Sequence, residues 1–330
     1  MVTEKSAGTH VLAADVGGTT TRTALVDRSG RLAHRRTVPT RASEGRDAST
    51  DRLVAELGRI VELARSLDVV GIGISVAGPT DPETGVLYQP PNLQGWDGYS
   101  LKPVLERRLS MRTSVANDAS LAALAEHRYG AGRGLRHVIY ITVSTGIGGG
   151  LILDGKLYGG ARGLAGELGH IIIDRNGPLC NCGNTGCLES LCSGTAVARI
   201  ARERLAAGES SALLGMADGD AAKVDAPAVA AAARAGDRLA TDIMDEVSTN
   251  LGIGLVSIIN AFYPDVIAIG GGMSQDLEMM LPRINEQIDR HALGRGLGRV
   301  PVVKSELGDD AGIMGAAALA FTHHDEAGSG

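Results

Sequence analysis

The chain has 330 residues, 44% of them apolar, with 38 acidic against 32 basic side chains and a formal net charge of −6. That length exceeds one ordinary core and sets an expectation of two domains in a folded, water-soluble protein. With no run of Lys or Arg there is no concentrated basic face for nucleic-acid phosphates, so small or neutral partners are expected and a nucleic-acid partner is not.

The N-terminus, MVTEKSAGTHVLAADVGG, has a charged start but no apolar run followed by a small-residue cleavage site, and the expected location is cytoplasmic. From Val11 onward, VLAADVGGTTTRTALVDRSGRLAHRR reads as strand, glycine turn, strand, Asp-containing tight turn, strand. VIYITVSTGIGGGLILDGKLYGG repeats that order about 127 residues later, with Asp154 and Gly155 standing where the first copy has Asp27 to Gly30. Strand-like and helix-like segments alternate through the rest, so the expected class is α/β, a duplicated fold of two related halves with a cleft between them. A third glycine-rich turn follows a strand in DVIAIGGGMSQD. Neither GxGxxG nor GxxxxGK[ST] occurs at these turns, which excludes the Rossmann and Walker motifs. What remains are hairpin turns, Gly17-Gly18-Thr19 and Thr145-Gly146-Ile147-Gly148, whose N–H groups and hydroxyls can face a phosphate chain. Glycine in one such turn needs no more than positive φ; its repetition in both halves favours the phosphate reading.

In SVANDASLAALAEHRYGAGRG, Asp118 precedes a helical pattern and is expected as its N-cap. A helix N-terminus also favours the ionised carboxylate, and such an Asp can orient a hydroxyl and accept its proton late in a phosphoryl transfer. Asn92, Asn117, Glu167, His170 and Glu189 add amide, carboxylate and imidazole groups suited to a polyhydroxylated ligand. All four cysteines lie between Cys180 and Cys192, on a loop rich in Gly and Asn. A thioredoxin-type CxxC is missing and cytosolic disulfides are rare, so a four-coordinate structural zinc is the stronger reading. Five candidates compete for four positions, and spacing alone does not choose between His170 and Cys192. The charge-free stretch Val247 to Pro264 contains polar residues and glycines, and Leu239, Ile243, Val247, Leu251, Leu255, Ile258 and Phe262 recur as one face of a long helix rather than as a membrane span.

Taken together these segments resemble the ROK family of bacterial sugar kinases and sugar-responsive repressors. The resemblance runs from DVGGTTTR through SVAGP, PNLQGW, ANDA, STGIGGG, GELGH, CNCGNTGCLE and IGGGMS to GDDAGIMGAAALA, with the pairing of GELGH and CxCGxxGCxE its most specific part. It implies an actin-like (RNase H-like) ATPase fold of two α/β domains flanking a cleft: a small one over residues 1–117, completed by a C-terminal helix at about 312–322, and a large one over 118–311 carrying the zinc loop. It implies Asp118 as general base on a sugar 6-hydroxyl, with Asn92, Asn117, Glu167, His170, Glu189 and the backbone near Gly78 binding the sugar. Asp15 would position Mg²⁺ through water, Gly17, Gly18, Thr19, Thr20, Thr145 and Gly146 would hold the phosphates of ATP, and Gly271 and Gly272 would lie beside the adenosine. The family's zinc ligands map onto His170, Cys180, Cys182 and Cys187, leaving Cys192 out. Thr20 stands where many members have Lys, and Ser120 follows Asn-Asp-Ala where Asn or Cys is common.

The expected activity is ATP-dependent phosphorylation of a hexose, glucose first, because PPNLQGW and Glu189 resemble glucokinase members. N-acetylmannosamine, N-acetylglucosamine and fructose kinases share most of the motifs. A repressor would need a helix-turn-helix module of about 60–80 residues with a basic recognition helix, and only 14 residues precede Asp15; a nucleic-acid-binding zinc ribbon would need paired CxxC motifs and a basic face, and the sequence has neither. A homodimer or dimer of dimers is expected, with no membrane partner.

Overall fold

The computed structural model describes residues 9–328. Its elements in chain order are β1 (His10–Val16), β2 (Thr20–Asp27), β3 (Leu32–Pro39), α1 (Arg46–Leu63), β4 (Val69–Val76), α2 (Leu101–Leu109), β5 (Thr113–Asn117), α3 (Asp118–Tyr129), β6 (Val138–Val143), β7 (Ile147–Leu153), β8 (Lys156–Leu157), α4 (Leu188–Cys192), α5 (Gly194–Ala206), α6 (Leu213–Met216), α7 (Ala226–Arg234), α8 (Arg238–Phe262), β9 (Val266–Gly270), α9 (Leu277–His291), β10 (Val302–Lys304) and α10 (Ala311–Gly328). The described residues divide into a first compact unit of 9–136, 150–166 and 306–328 and a second of 137–149 and 167–305.

The two sheets have the same plan. One runs β3-β2-β1-β4-β5 and the other β8-β7-β6-β9-β10. In the first, β1 pairs antiparallel with β2 and parallel with β4; in the second, β6 pairs parallel with β9, and β7 antiparallel with β8. This is the duplicated α/β arrangement that the repeated hairpin pattern implies, and the actin-like fold that the family resemblance implies. The tight turns fall where Asp and Gly predict them, with Gly30 at φ 85°, Asp154 at 51° and Gly155 at 73°, backbone that glycine adopts without the Cβ penalty and that Asp tolerates.

In the first unit Leu12, Leu25, Ile72, Ile74 and Val115 of the sheet pack with Leu53, Leu57 and Ile60 of α1 and with Trp96, all at most 1% exposed. Burying each such side chain contributes about 1.5–3 kcal/mol. α10 packs on the sheet and on α3, and it comes very close: a Cβ on Gly73 would stand 1.8 Å from the Ala316 carbonyl, and one on Gly315 would stand 1.9 Å from that of Leu121. The run of small residues in GIMGAAALA thus sets the depth at which α10 sits. Glu126, fully buried on α3, accepts from the backbone N–H groups of Ala131, Glu306 and Leu307 at 2.8, 3.2 and 2.9 Å, fixing the start of α10 to α3.

In the second unit the long amphipathic helix is α8, with Leu239, Ile243, Val247, Leu251, Leu255 and Ile258 buried as their spacing predicts. Its two glycines mark close approaches: a Cβ on Gly252 would meet Gln287 of α9 at 2.9 Å, and one on Gly254 would meet Leu188 of α4 at 2.6 Å. Among the described residues no helix is long and apolar enough to cross a membrane.

Candidate active site

In the first unit, strand register builds the environment of Asp15. Its antiparallel partner on β2 is Arg22 and its parallel partner on β4 is Ser75, and cross-strand neighbours share a face. Ser75 Oγ donates to Asp15 Oδ1 at 2.8 Å and Arg22 Nη1 to Oδ2 at 3.1 Å. Burial raises the pKa of Asp15, opposed by the Ser75 hydrogen bond and the Arg22 charge. From the other side Gly312 of α10 closes in, where a Cβ would stand 2.8–3.1 Å from the carboxylate.

The Gly17–Thr19 turn is closed by a hydrogen bond from Gly17 N to Thr20 O at 3.0 Å and anchored by Thr40, whose Oγ1 donates to Gly17 O at 2.7 Å and whose N donates to Thr19 O at 2.8 Å. Gly18 has no room for a side chain because Asn92 stands there, its Cβ 2.6 Å from where a Cβ would be. The turn and the Asn92 loop are therefore in direct contact.

The expectation for Asp118 is corrected by one residue. Asn117 is the N-cap of α3, its Oδ1 accepting from Ala119 N and Ser120 N at 3.0 and 3.1 Å, while Asp118 is the first helical residue. Asn and Asp cap equally well, so adjacent Asn-Asp leaves the cap undecided by sequence. Asn117 Nδ2 also donates to Gly78 O at 3.2 Å, which brings together two of the residues expected at the sugar. Asp118 Oδ1 accepts from Ala119 N at 2.8 Å.

The second unit repeats the device. A Cβ on Gly146, in the equivalent turn, would stand 2.5 Å from Glu189 Oε2, and that oxygen accepts from Ile147 N at 2.8 Å. Each hairpin turn thus packs on a residue expected to bind sugar, Asn92 in one unit and Glu189 in the other. Gly169 holds the GELGH segment against the same turn, since a Cβ there would lie 2.1 Å from Ile147 O. Glu167 keeps an exposed edge, yet enough protein surrounds its carboxyl for burial to raise its pKa, with His170 lowering it and Glu189 raising it further. Gly271, at φ 81°, follows β9 with its Cβ position 2.5 Å from Val143 O, and Gly272 begins the short 3₁₀ turn that follows.

His170, Cys180, Cys182 and Cys187 bring one ligand atom each to within 4.8 Å of one another. The choice left open by spacing is thereby made for His170: Cys192 stands outside the group, buried on α4. Cys180 Sγ lies 3.7 Å from His170 Nδ1, and Cys182 Sγ lies 3.7 Å from Cys187 Sγ. A tetrahedral zinc with the usual Zn–S and Zn–N lengths has ligand-to-ligand edges of roughly 3.6–3.8 Å, so the donor set fits zinc in number, softness and size. Burial pushes the Cys187 thiol up to about 12 and raises that of Cys180 too, so holding these sulfurs as thiolates calls for a divalent cation. With Nδ1 turned toward the sulfurs, Nε2 is the nitrogen left for another partner.

A cavity of about 840 Å³ in the second unit is lined by Ser144, Thr145, Gly194, Ala230 and Gly272 among others. Gly194 N donates to Ser144 O at 2.7 Å and Thr195 Oγ1 to Thr145 O at 2.8 Å, docking the start of α5 on the hairpin turn. Ser75, Arg22, Thr40, Glu126, Gly169 and Gly312 were not singled out in the sequence. For the glycines a signal was present, since Gly inside a helix or beside a motif marks a close approach.

The two units therefore define a protein of the actin-like ATPase class, with paired glycine hairpins and a His/Cys₃ cluster. The chain belongs to the ROK family, whose model matches residues 11–323. It is 36% identical over 309 residues to a glucokinase of Thermotoga maritima, covering 94% of this chain and 96% of that one. The structure of a ROK family glucokinase from Streptomyces griseus in complex with glucose and AMPPNP is similar with a TM-score of 0.79 and 35% identity, covering 95% of this chain and 99% of the other. A ROK family transcriptional regulator, a homologue of the Escherichia coli MLC protein, is also similar, with a TM-score of 0.84, 30% identity and coverage of 96% and 78%.

Proposed function

We propose that this protein is an ATP-dependent hexose kinase that transfers the terminal phosphoryl group of ATP to the 6-hydroxyl of glucose. The observation that carries this is the placement of Asp118 in the first turn of α3, beside an Asn117 cap that itself holds Gly78. The helix N-terminus favours the anion, so Asp118 orients the 6-hydroxyl and takes its proton as the new P–O bond forms. Asn92, Asn117, Glu167, His170 and Glu189 bind the sugar. The Gly17–Thr20 and Thr145–Gly146 turns supply N–H groups and hydroxyls to the phosphates, and Gly272, next to Gly271, borders the cavity assigned to adenosine.

Asp15, a hard oxygen donor beside the first turn, fits Mg²⁺ held through water, and the ion supplies charge neutralisation of the phosphates when it is bound. His170, Cys180, Cys182 and Cys187 would hold a structural zinc, which would supply a cross-link of the loop after GELGH; His170, bound through Nδ1, would then offer Nε2 to a sugar hydroxyl. The substrate follows from the likeness to glucokinases. An ADP-release assay across glucose, mannose, fructose, N-acetylmannosamine and N-acetylglucosamine tests it: glucose should give the highest kcat/KM, an N-acetylhexosamine leading by 10-fold on the same scale (about 1.4 kcal/mol) would move the substrate assignment, and no turnover with any sugar would refute the kinase reading.

A further inference from the structure

The cavity assigned to adenosine has a polar closure at its far end that none of the roles above uses. At the near end stand Ser144, Thr145, Gly194 and Gly272. Ala226 is there too, its Cβ 3.5 Å from where a Cβ on Gly194 would be. From that corner α7 presents Ala226, Ala230 and Arg234 to the cavity. Residues four apart lie on one helix face, so Arg234 is about 12 Å further along the axis. Asp276, four residues past Gly272, also lines the cavity and forms an ion pair with Arg234. The far end is thus bordered by an acceptor beside a donor, at the distance a purine base edge reaches when the phosphates lie at the hairpin turn.

Stability alone does not explain this pair. Asp276 is the N-cap residue of α9, yet its side chain makes no capping bond. A part-exposed ion pair contributes little to stability, and Arg234 is 56% exposed, while both side chains line the cavity. The other charged groups of the cavity are committed to its wall: Arg202 Nε donates to Val224 O at 3.0 Å, and Asp225 caps α7 by accepting from Ala228 N at 2.9 Å.

We propose that Arg234 and Asp276 determine the nucleotide specificity of the phosphoryl donor by reading the Watson–Crick edge of adenine. The Asp276 carboxylate accepts from the exocyclic 6-amino group and the Arg234 guanidinium donates to N1. This inference rests on the kinase reading and on adenosine occupying this cavity. A 6-oxopurine presents the opposite order, an acceptor at O6 and a donor at N1, and mismatches the pair.

The test compares kcat/KM for ATP and ITP at saturating glucose in the wild type, Asp276→Asn, Arg234→Gln and the double reversal Arg234→Asp/Asp276→Arg. The wild type should prefer ATP by about 10-fold or more, as expected for paired base-edge contacts. Each single variant should lose most of that preference, and the double reversal should favour ITP, because donor and acceptor have exchanged places. An unchanged ATP:ITP ratio in both single variants overturns the proposal, as does a double reversal that restores ATP preference, which is the behaviour of a merely structural ion pair. Ala230→Trp, which fills the cavity, separates this failure from that of the underlying reading. If the folded variant binds ADP with wild-type affinity in calorimetry, the nucleotide is not in this cavity and both fall; if it loses ADP while the ratios stay fixed, only the base-edge inference falls.

Discussion

Substituting Gly312 by Ala places one methyl group against the carboxylate that the account gives to Mg²⁺. The added Cβ would stand 2.8 Å from Asp15 Oδ1, 2.9 Å from Cγ and 3.1 Å from Oδ2, where ordinary contact begins at 3.4 Å, so the carboxylate or α10 must give by about 0.6 Å at the closest atom. Asp15 is not free to retreat, because Ser75 and Arg22 hold its two oxygens at 2.8 and 3.1 Å. Overpacking costs about 1–3 kcal/mol, while replacing Gly by Ala inside a helix returns about 0.5–1 kcal/mol, which leaves a net loss between nothing and about 2.5 kcal/mol. Function should suffer more than stability, since a 1 Å misplacement in a site can cost about 10²-fold in rate, and here a fall of about 10-fold in kcat/KM for MgATP is expected. The assay is steady-state turnover across Mg²⁺ concentrations beside thermal unfolding. Gly58→Ala is the control, because that glycine of α1 has open space around its Cβ position and should only gain stability. Wild-type kcat/KM with a wild-type Mg²⁺ requirement in Gly312→Ala would refute the role given to Asp15.

Metal analysis should find about one zinc per chain, as four ligands complete a tetrahedral site; Cys182→Ser should lose metal and sugar affinity together, whereas Cys192→Ser should keep both. His170→Asn should weaken sugar binding more than ATP binding, by about 10–100-fold on the scale of losses seen when groups around a metal are removed, and titration calorimetry with each ligand checks it; normal sugar affinity in a zinc-free variant would break the link. Burial holds the Glu167 pKa above the ordinary carboxylate range, so its proton is retained to higher pH and glucose affinity should rise as pH climbs through that raised value. The same shift means that its contribution to stability is fully present at low pH and is lost over that same climb. Glu167→Gln should flatten the affinity profile through that raised value, and an unaltered pH dependence of the dissociation constant would count against an ionised Glu167 at the sugar.

The hairpins, their tight turns and the α8 face were legible because each is written in local sequence: strand periodicity punctuated by Gly and Asp, and apolar residues three or four apart. The cysteine loop announced a metal for the same reason, but its fourth ligand was not legible. Cys192 lies five residues past Cys187 and His170 lies ten before Cys180, and only the fold turns one into the α4 core and the other toward the sulfurs. The partners of Asp15 come from 7, 60 and 297 positions away, set by register in two strand pairings and by the depth of α10. Glu126 is hidden likewise, an acidic residue in a helical pattern that reads as solvated surface until the chain segment at 306–307 returns to it. Arg234 and Asp276 are 42 positions apart, and nothing in either segment alone points to the other.

The central claim is a hexokinase with Asp118 as its base, and product analysis of one variant tests it most directly. Phosphorus NMR of the wild type with glucose, ATP and Mg²⁺ should show glucose 6-phosphate. Folded, zinc-loaded Asp118→Asn should lower kcat by about 10²-fold or more, the usual scale for loss of a general base, while binding glucose nearly as well as the wild type. Glucose 6-phosphate formed at a near-normal rate by Asp118→Asn would contradict the account.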